Sequence, residues 1–108
     1  MPYALSSFML ACGLLLSTAA HAQGGPARVS MERCVDRVLA RLAKAKAPER
    51  EVGRAVIADC DRPLRATLVE AMKTGEAAMC ASVEACLDIA RKQTADEARE
   101  AYRARVTR

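Results

Sequence analysis

Tryptophan is absent from this chain of 108 residues, phenylalanine occurs once and tyrosine twice. A core with so few aromatics buries little area per residue. A chain this short then sits near the limit where burial barely exceeds conformational entropy, and staples become valuable. Histidine occurs once, as His21. Its scarcity removes the commonest general base and a common metal ligand. No glycine-rich phosphate loop, nucleophile elbow or C-x-x-C redox pair is present, and no strand alternation, repeat or low-complexity tract appears.

Charge is missing from the start of the chain. Residues 1 to 22 hold no Lys, Arg, Asp or Glu, and Phe8 to Leu16 form an apolar run. The run is followed by Ala20-His21-Ala22, an A-x-A pattern before Gln23. This predicts a secretory signal peptide over residues 1–22, cleaved between Ala22 and Gln23. The run is short for a membrane span of about 20 residues. Met1 to Ser7 lack the usual basic residue, which leaves an uncleaved anchor as the rival reading. Lipid attachment at Cys12 is disfavoured, because the apolar run continues past it.

Cleavage would take His21, Cys12, Tyr3 and Phe8 away. Tyr102 would be the last aromatic, beside four cysteines: Cys34, Cys60, Cys80 and Cys86. An even cysteine count in a short exported chain predicts two disulfides and a periplasmic or secreted location. Arginine outnumbers lysine and alanine is abundant, as in a GC-rich bacterial genome. The net charge of +4 is mild, and no block of like charges forms an arm for nucleic acid or anionic lipid. Tyr102 alone offers too little surface for base stacking. Nucleic acid is therefore not an expected partner, and membrane contact is expected only through the signal peptide before cleavage.

The rest of the chain reads as a leader over 23–28 and a single α-helical domain over 29–108. Ser30 is placed as the cap of a first helix running to about Ala45. Met31, Val35, Val38, Leu42 and Ala45 form its apolar stripe at three- and four-residue steps. The charges Arg33, Arg37, Arg41 and Lys44 read as a solvated face. Lys44 and Lys46 suit a helix end, and Pro48, Glu49 and Glu51 suit a helix start. A second helix carries Val52, Val56, Cys60, Leu64, Leu68 and Met72 at four-residue steps. Pro63 predicts a kink or short break near residues 60 to 62, because it removes one hydrogen bond and clashes one turn back. Asp61 is placed as the cap of the restarted helix. Gly75 offers a left-handed terminus, Glu76 to Ala81 read as a short helical turn, and Ser82 can cap the next helix. Thr94-Ala95-Asp96-Glu97 has the form of a capping box. It would start a last helix burying Ala98, Ala101, Tyr102 and Val106; the alternative is one bent helix over 83–106.

Cys34 and Cys60 lie at equal distances from Ala47, where the hairpin turns. Antiparallel helices pack with axes about 8–10 Å apart, so facing Cα atoms approach to about 4–5 Å. Disulfides need Cα separations of about 4.4–6.8 Å. Symmetry thus favours Cys34–Cys60, leaving Cys80–Cys86. On one straight helix that second pair would lie about 9 Å apart along the axis. Its pairing requires a break, which Ser82 supplies. The competing connectivity joins Cys60 to Cys86 and Cys34 to Cys80.

Other candidate chemistry is thin. The spacings of the four cysteines do not resemble zinc knuckles. Asp59 with Asp61 and Glu97 with Glu100 are carboxylate pairs, but nothing isolates either in an apolar pocket. Met72, Met79 and Cys80 suggest a soft-metal site less readily than core filling. Arg99, Arg103, Arg105 and Arg108 form a basic end that suits a helix C-terminus, or a weak contact with an acidic partner. The sequence therefore predicts an all-α, disulfide-stapled bundle with no cofactor, no metal and no catalytic residues. Its expected role is that of a non-enzymatic binding, inhibitor or accessory protein with an unidentified protein partner. An exposed apolar patch around Ile57, Val69 or Ile89 would mark the contact. The alternative is a thiol-redox or metal-handling envelope protein. The oligomeric state is left open.

Overall fold

The computed structural model describes residues 25–108. The signal peptide and its cleavage point at Ala22 and Gln23 lie outside them. Three helices and no strand occur among the described residues: α1 over 25–44, α2 over Val52–Thr74 and α3 over Val83–Val106.

Helix α1 is already formed ahead of Ser30, the expected cap. Pro26 stands in its first turn, where a missing N–H is harmless. Ala27 is buried, so this part of the expected leader is docked on the bundle. The other end closes with two crossed hydrogen bonds. The Ala47 amide donates to the Leu42 carbonyl at 2.9 Å, and the Lys46 amide to the Ala43 carbonyl at 3.1 Å. That is the Schellman arrangement, which needs a left-handed residue between helix and exit. Lys46 fills that position with φ 53° instead of a glycine. Pro48 follows in extended geometry, one residue before the helical turn begins. A short 3-10 turn over Glu49–Glu51 leads into α2.

Helix α2 runs without the expected break near residues 60 to 62, and Pro63 sits inside it. Only one backbone bond is forfeited there, and packing on both flanks outweighs it. Asp61 consequently caps nothing and remains a mid-helix side chain. Gly75 ends α2 with φ 83°, donating its amide to the Met72 carbonyl. Residues 75–79 form hydrogen-bonded turns, in the region where Glu76 to Ala81 were expected to make a short helical turn. Ser82 then accepts a hydrogen bond from the Ala85 amide and caps α3.

Helix α3 is continuous through Thr94, which settles the choice between one helix and two. The capping-box pattern at Thr94–Glu97 is not used, because those residues are interior to a helix whose cap is Ser82. Ala98 and Tyr102 are buried as expected, whereas Ala101 and Val106 are exposed.

The core joins all three helices. Cys34, Val38 and Leu39 of α1 meet Val52, Val56 and Cys60 of α2, and Ala98 and Tyr102 of α3 close the cluster. Val52 and Val56 are fully buried, each contributing about 1.5–3 kcal/mol by removal from water. Gly53 lets α3 come close: a Cβ there would lie 3.2 Å from the Ala95 Cβ. Leu39 lies off the predicted stripe yet is buried, while Ala45 lies on it and is exposed. Helix α3 lies against one flank of the hairpin and widens the buried arc of α1 toward Leu39.

Candidate functional site

Both disulfides are formed, Cys34 with Cys60 and Cys80 with Cys86, with Cα separations of 5.8 and 5.7 Å. The first is part of the core and ties α1 to α2. The second straddles the Ser82 cap and ties the turn after α2 to the first turns of α3; both its cysteines are half-buried. The break in helix at Ser82 is what allows two cysteines six residues apart to meet. Cys80 is thus not a free sulfur donor, and its neighbour Met79 is 95% exposed. Among the described residues no cluster of three His, Cys, Asp or Glu has the spacing of a metal site.

Asp59 and Asp61 are committed to holding helices together, whereas no ion pair among the described residues reaches Glu97 or Glu100. Asp59 and Asp61 are two positions apart on α2 and so point to different neighbours. Asp59 receives Arg41 of α1 at 2.8 Å. Asp61 accepts from Arg65 at 2.8 Å and from Arg91 of α3 at 2.9 Å. These two guanidinium groups hold the Asp61 carboxyl below the usual carboxylate range. Arg65 continues to Glu84 at 2.5 Å, and its bond to Asp61 raises its own pKa. An acid held ionised by two arginines is unsuited to exchange protons near neutrality.

The basic end is also mostly spent. Arg99 pairs with Asp96, Arg103 with Glu49, and Arg105 with Asp36 at 3.5 Å. Arg103 holds the Glu49 carboxyl below its ordinary value through that hydrogen bond. Of the four arginines at this end, Arg108 is left without an ion pair among the described residues. The residues expected to mark an apolar contact differ in exposure. Ile57 is half-buried, and Val69 and Ile89 are exposed on different helices.

The feature that sequence reasoning missed is a groove of about 650 Å³ between α1 and α3, with α2 beneath it. Leu39, Leu64 and Ala98 are its buried apolar floor, and Met31 and Val35 stand half-buried along the α1 side. Ala101 is the low α3 wall, small and exposed. The rim carries Glu32, Asp36 and Glu97 against a single cation, Arg28. Of the acids, Asp36 pairs with Arg105, while no ion pair among the described residues reaches Glu32 or Glu97. The legible signal was the i, i+4 spacing of Glu32 and Asp36 beside Val35, which puts two acids on the edge of an apolar stripe.

Comparison with protein-family models, with curated proteins and with solved structures finds no match for this chain.

Proposed function

We propose that this chain is a small exported helical protein that works by binding another protein, in the periplasm or outside the cell, without catalysis of its own. The groove between α1 and α3 carries the reading. Its apolar floor and polar rim follow the usual anatomy of a recognition site. Two disulfides on a core with one aromatic side chain, Tyr102, support an oxidising compartment. Among the described residues no helix is long and apolar enough to cross a membrane.

The test is site-specific photo-crosslinking in the exporting source cell. A photoreactive residue at Ala101 lines the groove, whereas one at Ala58 is exposed on α2 and does not. The reading expects a discrete protein adduct from position 101 and none from position 58. No adduct from either position contradicts it.

A thiol-exchange role is the second reading, favoured by the half-buried Cys80–Cys86 bridge at a turn. It expects that bridge to exchange with glutathione under conditions that leave Cys34–Cys60 intact, and a mixed disulfide to be trapped in the Cys86→Ser variant.

A further inference from the structure

We infer that the groove between α1 and α3 receives a cationic amphipathic helix of a partner protein. The inference rests on the protein-binding reading above and names the chemistry of the partner.

The shape of the groove suits a helix. On α1 the lining runs from Arg28 to Leu39, about 16 Å along the axis at 1.5 Å per residue. On α3 it runs from Thr94 to Ala101, about 10 Å. The groove is therefore elongated. A helix of two to three turns fills it and presents apolar side chains at i, i+3, i+4 and i+7 to the floor. Two helix walls over an apolar floor are the setting in which a third helix packs by ridges and grooves.

The charge of the rim points the same way, and it is independent of shape. The whole chain carries +4, yet acids outnumber cations three to one around this groove. Glu32 stands on one wall and Glu97 on the other, with no ion pair among the described residues to neutralise either. Asp59 and Asp61, by contrast, each meet an arginine of a neighbouring helix. Unmatched carboxylates on both sides of an apolar trough select a ligand with Lys or Arg flanking its apolar face, and reject an acidic one.

The test uses the mature protein and a fluorescein-labelled helical Lys/Leu peptide of about 14 residues, roughly four turns, read by fluorescence anisotropy. Two control peptides accompany it: a Glu/Leu peptide with the same apolar pattern, and a Lys/Leu peptide of the same composition with the leucines dispersed. The inference expects saturable one-to-one binding of the first peptide and at least tenfold weaker binding of both controls. It also expects at least a tenfold loss on Glu32→Lys/Glu97→Lys. Ala101→Trp, which fills the trough from an exposed wall position, should cause a similar loss with an unchanged helical circular dichroism spectrum. Equal binding of the dispersed peptide means charge alone is sensed and overturns the inference. So does binding that neither variant weakens, and so does a stable dimer by sedimentation that excludes the peptide. A crosslink from Ala101 in cells together with no Lys/Leu binding leaves protein binding standing and removes the cationic helix.

Discussion

The hydroxyl of Tyr102 donates to the Ala47 carbonyl at 2.6 Å, with the Leu42 carbonyl 3.2 Å away. One side chain of α3 thereby closes the turn that joins α1 to α2. The last aromatic of the domain serves both as core filler and as a tie to the turn that follows α1. Tyr102→Phe keeps the ring and removes the bond, so unfolding free energy should fall by about 1–2 kcal/mol. Tyr102→Ala should cost about 3–5 kcal/mol, because a buried ring is also lost. Urea midpoints of the two variants check the ratio; a Tyr102→Phe midpoint equal to that of the parent would mean the hydroxyl contributes nothing.

Lys46 holds the left-handed position of the same turn at φ 53°, where its Cβ is unfavourable. Lys46→Gly should therefore raise stability by about 0.5–1 kcal/mol, the relief of that strain less the greater freedom of glycine when unfolded. A thermal melt decides the sign. A lower midpoint would show that the lysine chain stabilises the turn by more than its backbone costs.

The two disulfides close loops of different length, with separations of 26 and 6 residues. Loop-closure entropy values the longer at about 3.5 kcal/mol and the shorter at about 2.4 kcal/mol. Cys34→Ser/Cys60→Ser should be the more damaging pair, since it also places two hydroxyls in the core. The order of reduction should be the reverse. Cys80–Cys86 is the more accessible bridge, so limited dithiothreitol followed by alkylation should label it first. Peptide mapping of the labelled protein checks this.

The Asp61 carboxyl has its pKa lowered by its hydrogen bonds from Arg65 and Arg91. A depressed acid stabilises fully above its unfolded value and ceases to do so as pH falls through its folded one. Melting temperature should therefore fall with acidification below about pH 4, the unfolded range of aspartate. Asp61→Asn should start lower at neutral pH and show a shallower fall. Parallel curves for the two proteins would show that Asp61 carries none of the dependence.

The hairpin was legible because its signals are local and agree. Lysines, a proline and glutamates mark one boundary, and Cys34 and Cys60 lie symmetrically about it. Gly75 and Ser82 were legible for the same reason, each answering a backbone need at a helix end. Errors arose where a local motif was outvoted by packing. Thr94 to Glu97 has the form of a start, yet Thr94 and Ala95 are partly buried inside a helix that Ser82 already caps. Pro63 reads as a kink or short break, yet α2 continues through it without a break, held on both sides by the Cys34–Cys60 bridge and by Arg91 on Asp61. Of the groove, only the α1 edge left a signal in the sequence, the i, i+4 spacing of Glu32 and Asp36 beside Val35. The groove depends on how α3 packs across the hairpin, where Gly53 of α2 comes close to Ala95, and such a long-range contact is not written in the pattern of either helix.

A stapled, exported helical domain is the central claim, and the mass of the exported chain tests it most directly. Protein recovered from the exported fraction should be weighed intact, after alkylation without reduction and after alkylation with it. The expected species begins at Gln23 and takes up no alkylating agent until reduced, and then one at each of Cys34, Cys60, Cys80 and Cys86. Retention of Met1, or uptake of the agent without reduction, would contradict it.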